Sequence, residues 1–247
     1  MAGHNKWSKI KRKKGVEDTR RSKVFTKILK DVSVSVRENG SDPESNPKLR
    51  LALANAKGVN MPKENIQRAI NKASETGGAG YSEVTYEGYA PGGIAIYIEC
   101  TTDNLNRTVA NIRMYFSKYG GNLGTHGSIA FLFERKGVFT FHKVNHDEES
   151  FTMELIDSGA DDIEVDENNF VAYSSFENFG LMLKKLEEKG IEAESAELHR
   201  IPLSPTTVDL NTARKVLKFI EVLEDDDDVH AVYHNMELTE ELEAQLI

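Results

Sequence analysis

Gly137-Val138-Phe139-Thr140-Phe141 opens the stretch that decides the fold, since the elements after it come in a recognisable order. This β-branched and aromatic run reads as a strand, and a helical pattern follows from Glu148 to Ser158. Strands then read near Asp162–Asp166 and Phe170–Tyr173, a helix from Phe176 to Glu188 stops at Gly190, and a last strand lies near Ser195–Arg200. That order, β-α-β-β-α-β, predicts a ferredoxin-like unit.

On its N-terminal side, Gly93-Ile94-Ala95-Ile96-Tyr97-Ile98-Glu99-Cys100 reads as a strand, Asn104 to Tyr119 as a helix carrying Leu105, Val109, Ile112 and Phe116, and Ser128 to Phe133 as a second strand. On its C-terminal side, only a helix from Asp209 to Leu223 and a strand from Val229 to Tyr233 remain. Those two elements are too little for a domain. Joined to the strand-helix-strand before residue 134, they complete a second split unit of the same kind. The expected organisation is therefore residues 135–201 inserted into a domain made of 81–134 and 202–247, because insertion is tolerated where entry and exit lie close together.

Further upstream the pattern is helical. Val24, Phe25, Ile28, Leu29, Val32 and Val36 line one face of a helix stopped by Asn39-Gly40. Asn46-Pro47 reads as a cap followed by proline at the first helical position, with Leu49, Ala52, Leu53 and Ala56 as the stripe and Gly58 as the stop. Pro62 opens a third helix with Ile66, Ala69 and Ile70 inward, and Gly77-Gly78-Ala79-Gly80 reads as a hinge. Residues 1–80 are thus a basic arm plus a three-helix domain, and the whole chain is α+β: a three-helix domain followed by two ferredoxin-like domains, one inserted in the other.

The net charge of −9 hides a segregation. Residues 1–80 hold 18 Lys and Arg against 8 Asp and Glu, and the remainder holds 13 against 32. Within residues 1–30 the count is 11 basic to 2 acidic. Each cation that neutralises a phosphate releases a condensed counterion, while an acidic body suppresses indiscriminate sticking. The expected nucleic-acid contacts are Lys6, Trp7, Lys9, Lys11, Arg12, Lys13, Lys14, Arg20, Arg21 and Lys23. Trp7, set among lysines, can stack on an unpaired base or anchor the arm on the helices. The partner is then DNA or ribosomal RNA. The break from Asn39 to Asn46 is too long for the usual helix-turn-helix, so sequence-specific major-groove reading has no support.

Catalytic chemistry does not assemble. There is no nucleophile elbow, Walker loop or HExxH motif, and one cysteine, Cys100, excludes an internal disulfide. The glycines of Tyr86–Gly93 and Gly120–Gly127 read as tight turns, and their density permits the close approach of another backbone. Asp225–Asp228 reads as a solvated turn. The expectation is a non-enzymatic protein with no catalytic residues, cofactor, metal or small-molecule substrate. Without an apolar run of membrane-spanning length or a secretory h-region, the expected location is cytoplasmic, with no membrane partner.

Five blocks in order carry a resemblance: Ala2-Gly-His-Asn-Lys-Trp-Ser-Lys-Ile-Lys, Asn60-Met-Pro-Lys-Glu-Asn-Ile-Gln-Arg-Ala-Ile, Tyr86-Glu-Gly-Tyr-Ala-Pro-Gly-Gly, Thr102-Asp-Asn-Leu-Asn-Arg-Thr and Gly120-Gly-Asn-Leu-Gly. Over essentially its whole length the chain resembles the YebC/PmpR family. The resemblance implies three domains, the first helical and the others α/β. It implies a regulator of gene expression, from a family labelled DNA-binding transcriptional regulators. The same family includes a mitochondrial translational activator and bacterial members linked to rescuing ribosomes stalled on proline-rich sequences. The alternative expectation is therefore a ribosome-associated translation factor binding rRNA or tRNA. The family supplies no agreed catalytic residues.

Overall fold

The structure is a computed structural model and describes residues 17–75, 80–144 and 147–246. The described residues divide into two compact units: those within Met1–Lys23, Ala79–Glu134 and Arg200–Ile247 form the first, those within Val24–Gly78 and Arg135–His199 the second.

In the second unit, helix α1 (Glu17–Asn39, its first turns counted with the other unit), α2 (Pro47–Gly58) and α3 (Lys63–Ser74) form where the stripes place them, except that Val24, expected on the inward face of α1, is exposed. Val32, Val36, Leu49 and Ala52 form one small core, and Ile28, Ala56 and Met61 another. Asn46 caps α2 as its sequence position predicts, its Oδ1 accepting from Leu49 N at 3.0 Å. It does more than cap. The fully buried amide also donates to the carbonyls of Ser35 at 2.7 Å and Gly40 at 2.8 Å, clamping the end of α1 to the start of α2.

The same unit holds the sheet read from Gly137 onward: β4 (Phe133–His142), α5 (Glu148–Ser158), β5 (Asp162–Val165), β6 (Asn169–Ser175), α6 (Phe179–Lys189) and β7 (Ser195–Pro202). The strand order β5-β6-β4-β7 is that of a ferredoxin-like sheet. Phe139, Phe141, Phe151, Leu155, Phe170 and Met182 fill the space between sheet and helices. Gly159 and Gly190, at φ 113° and 70°, end the two helices in the left-handed conformation that glycine adopts without penalty.

Edge strand β7 does not face water alone. The Asn55 side chain accepts from Ala196 N at 2.9 Å and donates to its carbonyl at 3.0 Å, standing in for a neighbouring strand. Gly58 packs so near this edge that a Cβ would lie 2.1 Å from the Glu194 carbonyl oxygen. Its glycine is there for close approach as well as for ending α2.

The first unit carries the other sheet, in the order β3-β1-β2-β8. Here β1 (Ser82–Ala90) and β2 (Ile94–Thr102) form a hairpin paired along its full length. Helix α4 (Leu105–Lys118), the two-residue β3 (Asn122–Leu123), α7 (Leu210–Asp225), β8 (Val229–His234) and a short α8 (Glu240–Leu246) complete it. Two expectations fail. The Tyr86–Gly93 stretch is chiefly strand β1, and only Pro91-Gly92-Gly93 makes the turn, Gly92 at φ 76°. Residues 128–132 are not the strand expected over 128–133 but lead through a 3₁₀ turn at Ala130–Leu132 into β4, which starts at Phe133.

One residue explains the second failure. Glu87 is buried, and its carboxyl oxygens accept from the backbone N–H groups of Gly127 at 2.7 Å, Ile129 at 2.8 Å and Ala130 at 3.1 Å. Those donors would otherwise serve a sheet ladder; aimed at one side chain, they fold the chain into a loop.

Beneath the sheet, Ile94, Ile96 and Ile98 meet Ile112, Phe116, Phe219 and Ile220 of the helices. On the opposite face, Tyr97, Ile129, Phe133 and Tyr233 pack together, with the Arg200 guanidinium 3.9 Å from the Tyr97 ring centroid and 2.9 Å from Glu99 Oε1. Strand β2 is thus covered on both faces, which is why it reads as a nearly unbroken apolar run.

Candidate nucleic-acid interface

Of the ten residues expected to touch nucleic acid, Lys6, Trp7, Lys9, Lys11, Arg12, Lys13 and Lys14 lie outside the described residues. Arg20 lies on the first turns of α1, and Arg21 is exposed on the same helix. Lys23 is placed differently from a free phosphate contact: its Nζ lies 2.6 Å from Asp225 Oδ1, with both side chains substantially exposed. An exposed pair of this kind contributes little to stability, about 0–1 kcal/mol, so a phosphate can take the carboxylate's place at small cost.

The acidic run behind that pair is spent on structure. Asp228, almost wholly buried, accepts from Arg107 Nη2 at 2.7 Å, Arg107 Nε at 3.0 Å and Thr108 Oγ1 at 2.9 Å. Asp226 accepts from Asn111 Nδ2 and from the Tyr115 hydroxyl, each at 3.0 Å. Burial and that bond push the Tyr115 pKa up to about 12, while Asp228 and Asp103 hold the Arg107 guanidinium more firmly charged than usual. The block Thr102-Asp-Asn-Leu-Asn-Arg-Thr is thus a clamp between the start of α4 and the α7–β8 turn. Among the described residues, no group of three or more His, Cys, Asp or Glu is placed to hold a metal ion.

The glycine block has the same character. A Cβ at Gly88 would lie 2.4 Å from the Asn122 carbonyl oxygen and 2.6 Å from the Phe116 ring, so only glycine lets β1, β3 and α4 meet. The backbone that approaches these glycines is the chain's own.

Four cations escaped the sequence reading. Arg37, at the end of α1, and Lys63, Arg68 and Lys72, on α3, are exposed, and none has a carboxylate partner among the described residues. By contrast, Lys48 pairs with Glu38 and Lys57 with Glu192. Single basic residues scattered along helices give no signal in composition, and only their lack of carboxylate partners among the described residues singles them out.

With this geometry in hand, likeness to known proteins decides the family. A family model described as the TACO1/YebC protein N-terminal domain matches residues 5–76, and one described as the TACO1/YebC second and third domain matches residues 81–236. The chain belongs to the TACO1/YebC family. A relative in Amoebophilus asiaticus, named "Probable transcriptional regulatory protein", is 50% identical over 239 residues, 96% of this chain and 98% of its own. A relative of the same designation in Geobacillus kaustophilus is 45% identical over 240 residues, again 96% and 98% of the two chains. The crystal structure of a conserved hypothetical protein from Aquifex aeolicus superposes with a TM-score of 0.83 at 41% identity, covering 90% of this chain and 93% of that one. The TACO1/YebC assignment thus spans the helical segment and both sheets, and the resemblance carried by the five sequence blocks is a true family relationship.

Proposed function

We propose that this protein is a nucleic-acid-binding regulator of gene expression, without catalytic activity, that holds phosphates with its basic first part. One observation carries this reading: 11 Lys and Arg against 2 Asp and Glu in residues 1–30 of a chain whose net charge is −9. Such a segregation supplies salt-dependent, sequence-independent affinity without making the whole surface sticky. The designation of the relatives as transcriptional regulatory proteins supports the regulatory role. No helix among the described residues is long and apolar enough to cross a membrane.

A second reading, a ribosome-associated factor that binds rRNA or tRNA and relieves stalling on proline-rich sequences, is favoured by one feature. α1 ends at Asn39 and α2 begins at Pro47, a connection longer than the 3–4-residue turn of a helix-turn-helix. Helices α1 and α2 are therefore not that reading head; α2 and α3, joined by the four residues 59–62, have a turn of that length, and their basic residues suit structured RNA as well as an operator.

In-cell ultraviolet crosslinking, followed by sequencing of the attached nucleic acid, separates the two. Discrete promoter DNA supports the transcriptional reading, and rRNA or tRNA the translational one. Absence of any crosslinked nucleic acid contradicts both.

A further inference from the structure

Helix α3 buries no residue completely, yet its sequence is not that of a merely solvated helix. It starts after an abrupt reversal, Asn60 at φ 54° followed by Met61-Pro62, and it rests on the α1–α2 core through Ile66, Ala69, Ile70 and Ala73. Between α3 and the first part of the α1–α2 connection, at Ser41 and Pro43, lies an open cleft of about 490 Å³, within the usual range for small-ligand sites. Leu53, Ile66 and Ile70 give it an apolar floor, and Lys63, Gln67 and Asn71, at successive i, i+4 positions, form a polar wall.

The amides on that wall are bonded to each other. Gln67 Nε2 donates to Asn71 Oδ1 at 2.9 Å, which leaves Gln67 Oε1 as an acceptor and Asn71 Nδ2 as a donor. Turning both amides over still leaves one of each. Adjacent donor and acceptor sites are what the edge of an unpaired nucleobase presents, and the Gln and Asn amide is a standard partner for such an edge. A phosphate, which only accepts, has no use for the acceptor. One turn away, Lys63 has no carboxylate partner among the described residues and is free to meet the backbone that carries the base.

We propose that this cleft receives an unpaired base of a bound single strand: the ring on Leu53, Ile66 and Ile70, its edge on Gln67 and Asn71, and the adjoining phosphate on Lys63. The inference rests on the nucleic-acid reading above and adds a site for the edge of the base, which the arm's phosphate contacts and a stacking Trp7 do not supply.

The test uses the full chain with two fluorescent single strands of about ten nucleotides, one of ordinary RNA and one abasic along its length but equal in charge. Wild type is expected to bind the base-bearing strand about tenfold more tightly, the scale of one two-point base contact. The double variant Gln67→Ala/Asn71→Ala, changed only at exposed positions, should lose that preference while its affinity for the abasic strand and its helical circular dichroism stay unchanged. Lys63→Ala should weaken both strands alike. Equal binding of the two strands by wild type, or a preference retained by the double variant, overturns the site and leaves the arm's role intact. Failure of wild type to bind either strand contradicts the nucleic-acid reading itself.

Discussion

Glu87 and His234 show how single residues hold the first unit together. Glu87 spends its two oxygens on three backbone donors, so Glu87→Gln would set an amide NH₂ against N–H groups that need an acceptor. Leaving such donors unmatched costs about 1–3 kcal/mol, and urea unfolding of the variant should show a loss of that size. An unchanged midpoint would mean the loop holds its shape without the carboxylate. His234, at the end of β8, is enclosed, and burial lowers its pKa to about 4, with the Met236 backbone opposing. Because the unfolded chain takes up the proton near pH 6.5 and the native state only near 4, stability is full above 6.5 and falls as pH drops through this window. The loss by pH 4.5 should approach about 2–3 kcal/mol, and His234→Phe should flatten that part of the profile. A wild-type stability that does not change between pH 7 and 4.5 would contradict the assignment.

Elements were legible where the signal is local. Asn46-Pro47 announces a helix start, and the alternation of apolar stripes and glycine stops places α2, α3, α5 and α6 within a few residues. The clamp that Asn46 makes on Ser35 and Gly40 was not legible, because it depends on where α1 ends in space. It predicts that Asn46→Ala costs more than a lost cap alone, about 2–3 kcal/mol in thermal or chemical unfolding rather than about 1. A cost confined to the cap value would show that the two carbonyls find water instead. Strand β1 was missed for a related reason. Glu87 and Gly88 in its centre look like turn residues, and what makes them strand residues lies far along the chain: Gly127–Ala130 for the first, Phe116 and Asn122 for the second. The converse error at residues 128–132 has the same cause, since nothing near Ile129 shows that its N–H belongs to Glu87. The candidate interface divides likewise. Charge density reveals the arm, whereas the amide pair of α3 becomes visible only when Gln67 and Asn71 are seen bonded above an apolar floor.

At the scale of the molecule, the sequence spends its charges in two ways. In the acidic part, Asp226 and Asp228 are tied to α4, and Glu99 to Arg200, so much of the negative charge near the first sheet is structural. In the basic part, Lys63, Arg68 and Lys72 have no carboxylate partner among the described residues, and Lys23 has one that a phosphate can displace. The central claim is that the first part of the chain binds nucleic acid through phosphates. The most direct measurement is the affinity of the full chain for a labelled oligonucleotide over a range of salt concentrations, beside the variant Lys11→Ala/Arg12→Ala/Lys13→Ala/Lys14→Ala. Each phosphate contact contributes about 0.7–0.9 to the slope of log affinity against log salt, so the variant should bind more weakly with a slope shallower by about 3. Equal affinity and equal slope for the two proteins would contradict the claim.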